Sequence, residues 1–360
     1  MSFATPAAER LPVTVLTGFL GAGKTTLLRH LIRQPEMANA AVVINEFGAV
    51  SLDHELVERI DGDVVEVKGG CLCCTVRGDL VEALHGLLRK RAAGAIKAFD
   101  RVVIETTGLA DPAPILHTFM ADALAFDKFR LDGVVTVIDA VNGNATLDAH
   151  EEAVKQAAVA DRILVSKTDL ADADALTARL RTLNPGATIV AVAHGAVAPA
   201  DILDLGPFDP AAKGSQVEAW LRLETGPPDR DPHHDHDHRH APHDINRHDD
   251  RIRAFSYVRE TPVKIDSLQF LLQLLATMRG PDLLRVKGIV AVEGEPERPA
   301  VLHGVQHVFH PVTWLDRWPS ADRRTRLVFI VRDITERQIA DLMESLDDAD
   351  IADATSAARE

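Results

Sequence analysis

The chain has 360 residues, with 39 basic and 54 acidic side chains, a net charge of −15, 16 histidines, and three cysteines that all fall between Cys71 and Cys74. This length suggests two domains with ample apolar material for a core, so disulfide staples are unnecessary, and three crowded thiols tie no distant segments together. The acidic balance argues against nonspecific binding to nucleic acid or anionic membrane and favours cations; no run approaches the ~20 apolar residues of a membrane span, and a reducing, cytoplasmic setting is expected.

From Val13 to about Val192, apolar strand-like runs alternate with helical periodicity. That is the pattern of an α/β domain, a mostly parallel sheet covered by helices, spanning residues 1–206. The first strand, Val13–Thr17, runs into Gly18-Phe-Leu-Gly21-Ala-Gly23-Lys24-Thr25-Thr26, a full P-loop pattern, and then a helix over Lys24–Gln34. In this setting Gly18, Gly21 and Gly23 let backbone N–H groups converge on a β-phosphate. Lys24 neutralises β/γ oxygens, the Thr25 hydroxyl ligates Mg²⁺, and Thr26 joins the nucleotide-binding set. An ordinary Gly-rich turn is the alternative.

A strand at Ala41–Ile44 precedes Gly69-Gly70-Cys71-Leu72-Cys73-Cys74-Thr75. Three thiols so close cannot each be an independent core residue, and disulfides at these spacings are strained. Soft thiolates select Zn²⁺, Cu⁺ or, less readily, Co²⁺, and two or three of them leave a tetrahedral position open for an ion that must be passed on. A buried structural cysteine or a redox sensor is the other reading. After a helix at Gly78–Arg91, the strand Arg101–Ile104 continues into Glu105-Thr106-Thr107-Gly108. Glu105 would reach the Mg²⁺ shell or the attacking water, and the Gly108 amide would contact the γ-phosphate, so Lys24, Glu105 and Gly108 form the expected catalytic set. A strand-terminal Glu at a solvated edge is the bland alternative.

A helix at Pro112–Phe126 and strands at Val134–Ile138 and Ile163–Ser166 follow, the last ending in Ser166-Lys167-Thr168-Asp169. This tetrapeptide resembles the Asn-Lys-x-Asp guanine motif. Asp169 can accept two hydrogen bonds from guanine N1–H and N2–H₂, each worth ~1.5–3 kcal/mol because the acceptor is charged, while the Lys167 stem packs on the ring. Ser166 replaces the usual Asn, with the expected loss of one base or loop-bracing contact. A helix at Asp172–Leu183 and a strand at Thr188–Val192 complete the domain.

Residues 207–250 carry Pro207, Pro210, Pro227, Pro228 and Pro232, then His233-His234-Asp235-His236-Asp237-His238-Arg239-His240. Such a segment cannot bury enough apolar surface to offset its ordering entropy and reads as a flexible linker. Its imidazoles and carboxylates suit a low-affinity arm for Zn²⁺, Ni²⁺ or Co²⁺, with a solvated spacer as the alternative. Residues 251–349 read as a smaller α+β domain before a tail at 350–360. Its elements are a strand at Arg251–Tyr257, a helix at Asp266–Thr277, strands at Leu284–Val292, Ala300–Phe309 and Leu327–Val331, and a helix at Thr335–Leu346. His303 and His307 would share one strand face in structural or surface roles.

In this order, Gly18–Thr25, Asn45-Glu46-Phe47-Gly48, Gly70-Cys71-Leu72-Cys73-Cys74, Glu105-Thr106-Thr107-Gly108 and Ser166–Asp169 resemble the CobW-like family of P-loop GTPases, relatives of UreG and HypB. Arg285-Val-Lys287-Gly288, Gln306 and Trp314, before Leu327-Val-Phe-Ile330, resemble that family's C-terminal domain. The resemblance implies a metallochaperone that hydrolyses GTP with Mg²⁺, binds a transition metal, zinc above all with Co²⁺ second, and delivers it to a client protein. It implies Cys71, Cys73 and Cys74 as metal ligands with Glu46 as an oxygen ligand. It also puts Asp53 in the first switch region, acting through the Mg²⁺ shell or as a solvated loop acid. Cobalt supply for cobalamin synthesis and a metal buffer or sensor with negligible turnover stay open. A small-molecule P-loop kinase predicts an ATP preference, which Lys167, Asp169 and the cysteines oppose. The oligomeric state is not indicated.

Overall fold

The structure, a computed structural model, describes residues 10–47, 64–69, 75–116, 123–205, 251–306, 308–309 and 312–348. Seven strands form the first sheet: β1 (Leu11–Thr17), β2 (Ala40–Phe47), β3 (Val64–Gly69), β4 (Arg101–Thr106), β5 (Phe129–Asp139), β6 (Arg162–Ser166) and β7 (Thr188–Ala191). Their order is β3-β2-β4-β1-β5-β6-β7, with every pairing parallel. Parallel strands need helical crossovers, so both faces are covered and consecutive residues such as Val102, Val103 and Ile104 are all buried. The helices are α1 (Lys24–Leu31), α2 (Thr75–Ala92), α3 (Ala123–Lys128), α4 (Gly143–Ala149), α5 (Glu151–Ala158) and α6 (Asp174–Leu183). On one face Val13, Val15 and Ile104 meet Leu80, Leu84 and Leu87 of α2, whose spacing makes one helical stripe. On the other, Leu16, Val103 and Val137 meet Leu27, Leu28 and Leu31 of α1. The strands' C-terminal ends line one edge, the usual ligand edge of such sheets, and β1, β4 and β6 deliver their motifs there.

The second domain contains β8 (Ile252–Arg259), α7 (Ile265–Arg279), β9 (Leu283–Val290), β10 (Ala300–Val305), β11 (Val308–Phe309), β12 (Thr313–Trp314), β13 (Thr325–Arg332) and α8 (Glu336–Asp348). Its sheet runs β11-β10-β9-β13-β8, antiparallel throughout, with β12 paired to β10. Leu268, Leu271, Leu272 and Leu275 of α7 pack on Leu283, Val286 and Phe329.

Several expectations are corrected. β3, α4 and α5 were not anticipated, and β5 starts at Phe129 rather than Val134. The expected helix Pro112–Phe126 contains helical residues 113–116 and the start of α3, which reaches Lys128, while 117–122 lie outside the described residues. The expected strand Ala300–Phe309 is a hairpin: Gly304 pairs with Phe309 and Val305 with Val308. Gln306 turns the chain in the left-handed region (φ 53°) after the strand that carries His303, while His307 lies outside the described residues. The linker 207–250 and the tail 350–360 lie outside the described residues.

The two domains meet around a buried cluster of charge. Asp161, immediately before β6, accepts hydrogen bonds from Arg285 and Lys287 of β9 through Oδ1 and from the Val134 N–H through Oδ2 at 2.8 Å. Burial pushes the Asp161 carboxyl up, but Arg285 and Lys287 outweigh it and hold the group below the usual carboxylate range. Burial lowers Lys287 to about 8, Arg285 adds to the drop, and Asp161 opposes it. Ala158, Leu284 and Ile330 form an apolar patch at the same boundary, and Arg332 pairs with Glu151 of α5.

Candidate functional site

The phosphate loop follows from three backbone conformations. Gly18, Gly21 and Gly23 have φ of 138°, 72° and 97°, where side chains are strained. A Cβ on Gly18 would also lie 2.2 Å from the Val137 carbonyl oxygen. Gly23 caps α1, and the Leu27 N–H bonds its carbonyl at 3.0 Å. The first turn of α1 contains no acidic residue, so its unpaired N–H groups and positive dipole end suit an anion. Lys24 is buried and folds back over the loop, donating to the carbonyls of Gly18 (2.7 Å) and Phe19 (3.2 Å).

Glu105, near the end of β4, is buried, and its Oε1 accepts a hydrogen bond from the Thr25 hydroxyl at 2.9 Å. A hydroxyl and a carboxylate on adjacent elements are a hard oxygen pair that fits Mg²⁺. Gly108 follows two residues beyond the strand, and a Cβ there would sit 2.6 Å from the Leu20 nitrogen. The segment after β4 therefore lies directly on the phosphate loop, a close approach that requires glycine.

At the end of β6 the Ser166 hydroxyl donates to the Ala22 carbonyl at 2.6 Å, inside the protein. The bracing contact expected to weaken with Ser in place of Asn is thus present. Lys167 adopts a left-handed conformation (φ 58°), with Nζ 3.4 Å from Asp139 Oδ2. Asp169 Oδ1 accepts the His194 N–H at 3.0 Å, and Oδ2 lies 3.2 Å from His194 Nδ1. The backbone bond from His194 is the main cause holding the Asp169 carboxyl below its ordinary range, which keeps it an ionised acceptor. Thr26 faces the same loop, its Cγ2 3.1 Å from where a Cβ on Gly195 would fall. The structure thus gathers Gly18, Gly21, Gly23, Lys24, Thr25, Thr26, Glu105, Gly108, Ser166, Lys167 and Asp169 at the C-terminal edge of the sheet.

The metal side is less complete. Asp53, Cys71, Cys73, Cys74, His233, His234, His236, His238 and His240 lie outside the described residues. Glu46 is placed by its backbone on β2, in register with Lys68, and Phe47 pairs with Gly69. The connection that carries the cysteines therefore leaves β3 beside the strand end that carries Glu46. Among the described residues no three His, Cys, Asp or Glu side chains group as a metal site, and no helix is long and apolar enough to cross a membrane.

Reading the sequence missed His194, Gln156 and Asp139. Gln156, on α5, is wholly buried and donates to the carbonyls of Gly108 (3.2 Å) and Ala110 (2.9 Å). No local pattern marks it; a lone Gln in an Ala-rich helix reads as a solvent-facing residue.

Residues 12–191 match the family described as CobW/HypB/UreG, nucleotide-binding domain. The chain belongs to this family. As a CobW/HypB/UreG protein it also matches the Cobalamin synthesis protein cobW C-terminal domain over residues 252–347. It is 34% identical over 330 residues to the zinc chaperone YjiA of Escherichia coli, covering 91% of this chain and 96% of that protein. It is 32% identical over 369 residues to the zinc chaperone CobW of Pseudomonas aeruginosa, covering 93% and 91%. The crystal structure of Zn(II)-bound YjiA GTPase from E. coli superposes with a TM-score of 0.68 at 29% identity, over 94% of this chain and 99% of that one.

Proposed function

We propose that the protein is a GTP-hydrolysing metallochaperone that binds zinc and delivers it to a client metalloprotein in the cytoplasm. The observation that carries this reading is the likeness to the zinc chaperone YjiA along nearly the whole chain. The phosphate loop, the Thr25–Glu105 pair and the Ser166–Asp169 segment give that likeness its chemistry.

The amides of the phosphate loop take the β-phosphate of GTP, and Lys24 exchanges the Gly18 and Phe19 carbonyls for β/γ oxygens. Asp169 reads guanine N1–H and N2–H₂, while Ser166 keeps its strand tied to the loop. Thr25 and Glu105 would hold Mg²⁺, which neutralises charge on the β- and γ-phosphates. Water attacks the γ-phosphorus as its bond to the β–γ bridging oxygen breaks, yielding GDP and phosphate. The Gly108 amide contacts γ oxygens and loses that partner after hydrolysis. Asp53 would join the Mg²⁺ shell.

Zinc is the cargo. Cys71, Cys73 and Cys74 with Glu46 supply three thiolates and a carboxylate, a tetrahedral set. Support comes from the β2–β3 pairing, which starts the cysteine connection beside the end of Glu46's strand. The His233–His240 tract collects dications for that site at low affinity. If hydrolysis changes zinc affinity, zinc must change the preference between GTP and GDP by the same factor. The C-terminal match, to the Cobalamin synthesis protein cobW C-terminal domain, favours one second reading, cobalt as the cargo.

The test measures GTP turnover with Zn²⁺, Co²⁺ and Ni²⁺, and metal affinity with GDP and with a non-hydrolysable GTP analogue, for wild type, Lys24→Ala and Cys73→Ser. Loss of turnover in Lys24→Ala and loss of zinc affinity in Cys73→Ser are expected. Zinc affinities equal in the two nucleotide states, or unchanged by Cys73→Ser, would remove the chaperone reading. Negligible wild-type turnover would leave a buffer or sensor, and coupling to Co²⁺ alone would favour cobalt.

A further inference from the structure

The segment after Gly108 is held from two sides by glutamine side chains. From α5, Gln156 Nε2 donates to the carbonyls of Gly108 and Ala110, and among the described residues no donor meets its own buried Oε1. From the C-terminal domain, Gln306 Nε2 donates to Asp111 Oδ2 at 3.1 Å. The other oxygen of Asp111, Oδ1, accepts the Ala113 N–H at 2.9 Å and so caps the helical residues 113–116.

Gln306 is delivered there with some strain. It is a non-glycine residue at positive φ, a conformation that generally persists only where the surroundings impose it. Its neighbour Val305 is buried in the first domain's core beside Ala113, Ile115 and Leu116, which seats the β10–β11 turn on the helical residues that follow Asp111. Gly108 in turn lies against the backbone of Leu20. A continuous set of contacts thus runs from the phosphate loop through Gly108–Asp111 to the second sheet.

We infer that Gln306, together with Gln156, is a positioning residue for GTP hydrolysis: the C-terminal domain holds the Gly108–Asp111 segment in the place from which Gly108 meets the γ-phosphate. This rests on the reading of Gly108 as the γ-phosphate contact. Neither glutamine touches the reacting atoms. They act through the backbone they hold, so their loss lowers kcat more than it weakens GDP binding, which does not use Gly108.

The experiment uses the full chain. Gln306→Glu sets a carboxylate against Asp111, and Gln306→Met removes the donor at similar volume. In the double variant Gln306→Glu with Asp111→Asn the hydrogen bond is restored with the donor on the other side, and the Asn oxygen still caps residue 113. For one hydrogen bond to a charged group, kcat is expected to fall about 10-fold in Gln306→Glu and to return to within about 3-fold of wild type in the double variant. GDP affinity should stay within about 2-fold throughout. A merely structural contact would lower the melting temperature without separating kcat from GDP affinity. Wild-type kcat in both single variants, or a double variant no better than Gln306→Glu, would overturn the proposal. Amide exchange of wild-type residues 108–116 with GDP and with a non-hydrolysable GTP analogue separates the two readings. Identical exchange would overturn the Gly108 reading and the glutamine proposal together, whereas nucleotide-dependent exchange with unmoved kcat overturns only the latter.

Discussion

Replacing Asp161 with alanine should be among the most destabilising single changes at the domain boundary. The substitution removes the carboxylate shared by Arg285 and Lys287, whose side chains are 4% and 11% exposed, and leaves two buried cations adjacent. Breaking a buried pair from one side costs ~3–5 kcal/mol. Loss of the acceptor for the Val134 N–H adds ~1–3 kcal/mol. One relief is available. Lys287 already titrates at about 8, and without Asp161 its value drops further, so it sheds its proton near neutrality rather than remaining charged. The net expectation is therefore ~4 kcal/mol at pH 7, a large share of the ~5–15 kcal/mol of a typical folded protein. Urea unfolding of the full chain, followed by amide exchange at β6 and β9, measures it. The companion variant, Asp161→Leu with Arg285→Met and Lys287→Met, replaces all three charges by apolar groups and should recover most of the loss. The reasoning fails if Asp161→Ala costs under ~1 kcal/mol, or if the triple variant is no more stable than the single one. Acid gives an independent check. The folded-state value of Asp161 lies below its ordinary 3.8, so its contribution is present above that value and is lost as pH falls through the lower one. Wild type should thus lose more stability below pH 3.8 than the triple variant does.

Asp169→Asn keeps an acceptor for the His194 N–H but turns an NH₂ group towards guanine N1–H. With two charge-assisted bonds at stake, GDP affinity should fall at least about 100-fold and xanthosine diphosphate should bind better, as competition binding would show; equal loss for both bases would contradict base reading by Asp169. Ser166→Ala leaves the buried Ala22 carbonyl without its 2.6 Å donor, so guanosine and inosine diphosphates should both weaken about 5- to 10-fold with their ratio unchanged; a changed ratio would mean that Ser166 contacts the base. Lys287 is lowered from 10.5 to about 8 in the folded chain, so between those values the unfolded chain binds more protons and this group adds stability as pH rises. Urea midpoints across that window should climb for wild type relative to Lys287→Met, and a flat difference would refute the assignment.

The parallel domain was legible because its signals are local. Runs such as Val102-Val103-Ile104 can only be strands covered on both faces, and Gly18, Gly21 and Gly23 spell a loop that exists for its backbone. β3 escaped notice because Glu66 and Lys68 interrupt its valines, as an edge strand permits. The β10–β11 hairpin read as one strand because the alternation continues through a turn made without glycine. The least legible residues are those whose meaning comes from far along the chain. Gln156 meets carbonyls 48 and 46 positions away, Asp161 meets cations 124 and 126 positions away, and Gln306 meets Asp111 across 195. Periodicity reports which face of an element is apolar, and it carries no record of which distant polar group closes over a buried amide or carboxylate.

The contacts between the domains are unequal, and the inequality has a mechanical consequence. Asp161 immediately precedes β6 while Ser166 ends it, so the charged cluster sits at the opposite edge of the sheet from the nucleotide. Opening there would break two charge-assisted hydrogen bonds, from Arg285 and Lys287, and expose the apolar patch of Ala158, Leu284 and Ile330, so this contact resists opening more than a single hydrogen bond does. The Gln306–Asp111 bond lies on the nucleotide side and, as one hydrogen bond to a charged acceptor, is worth ~1.5–3 kcal/mol. Driving a two-state element from almost fully one way to almost fully the other takes ~5.5 kcal/mol of differential binding. Gain or loss of the γ-phosphate contact at Gly108 is commensurate with the weaker bond and too small to break both. Hydrolysis should therefore loosen the β10–β11 turn from Asp111 while the domains stay joined at Asp161. The test is a pair of engineered disulfide or spin-label distances, one across each contact. Under exchange of GDP for a non-hydrolysable GTP analogue, the distance near Gln306 should change and the distance near Asp161 should not; movement at Asp161 alone would invert the argument.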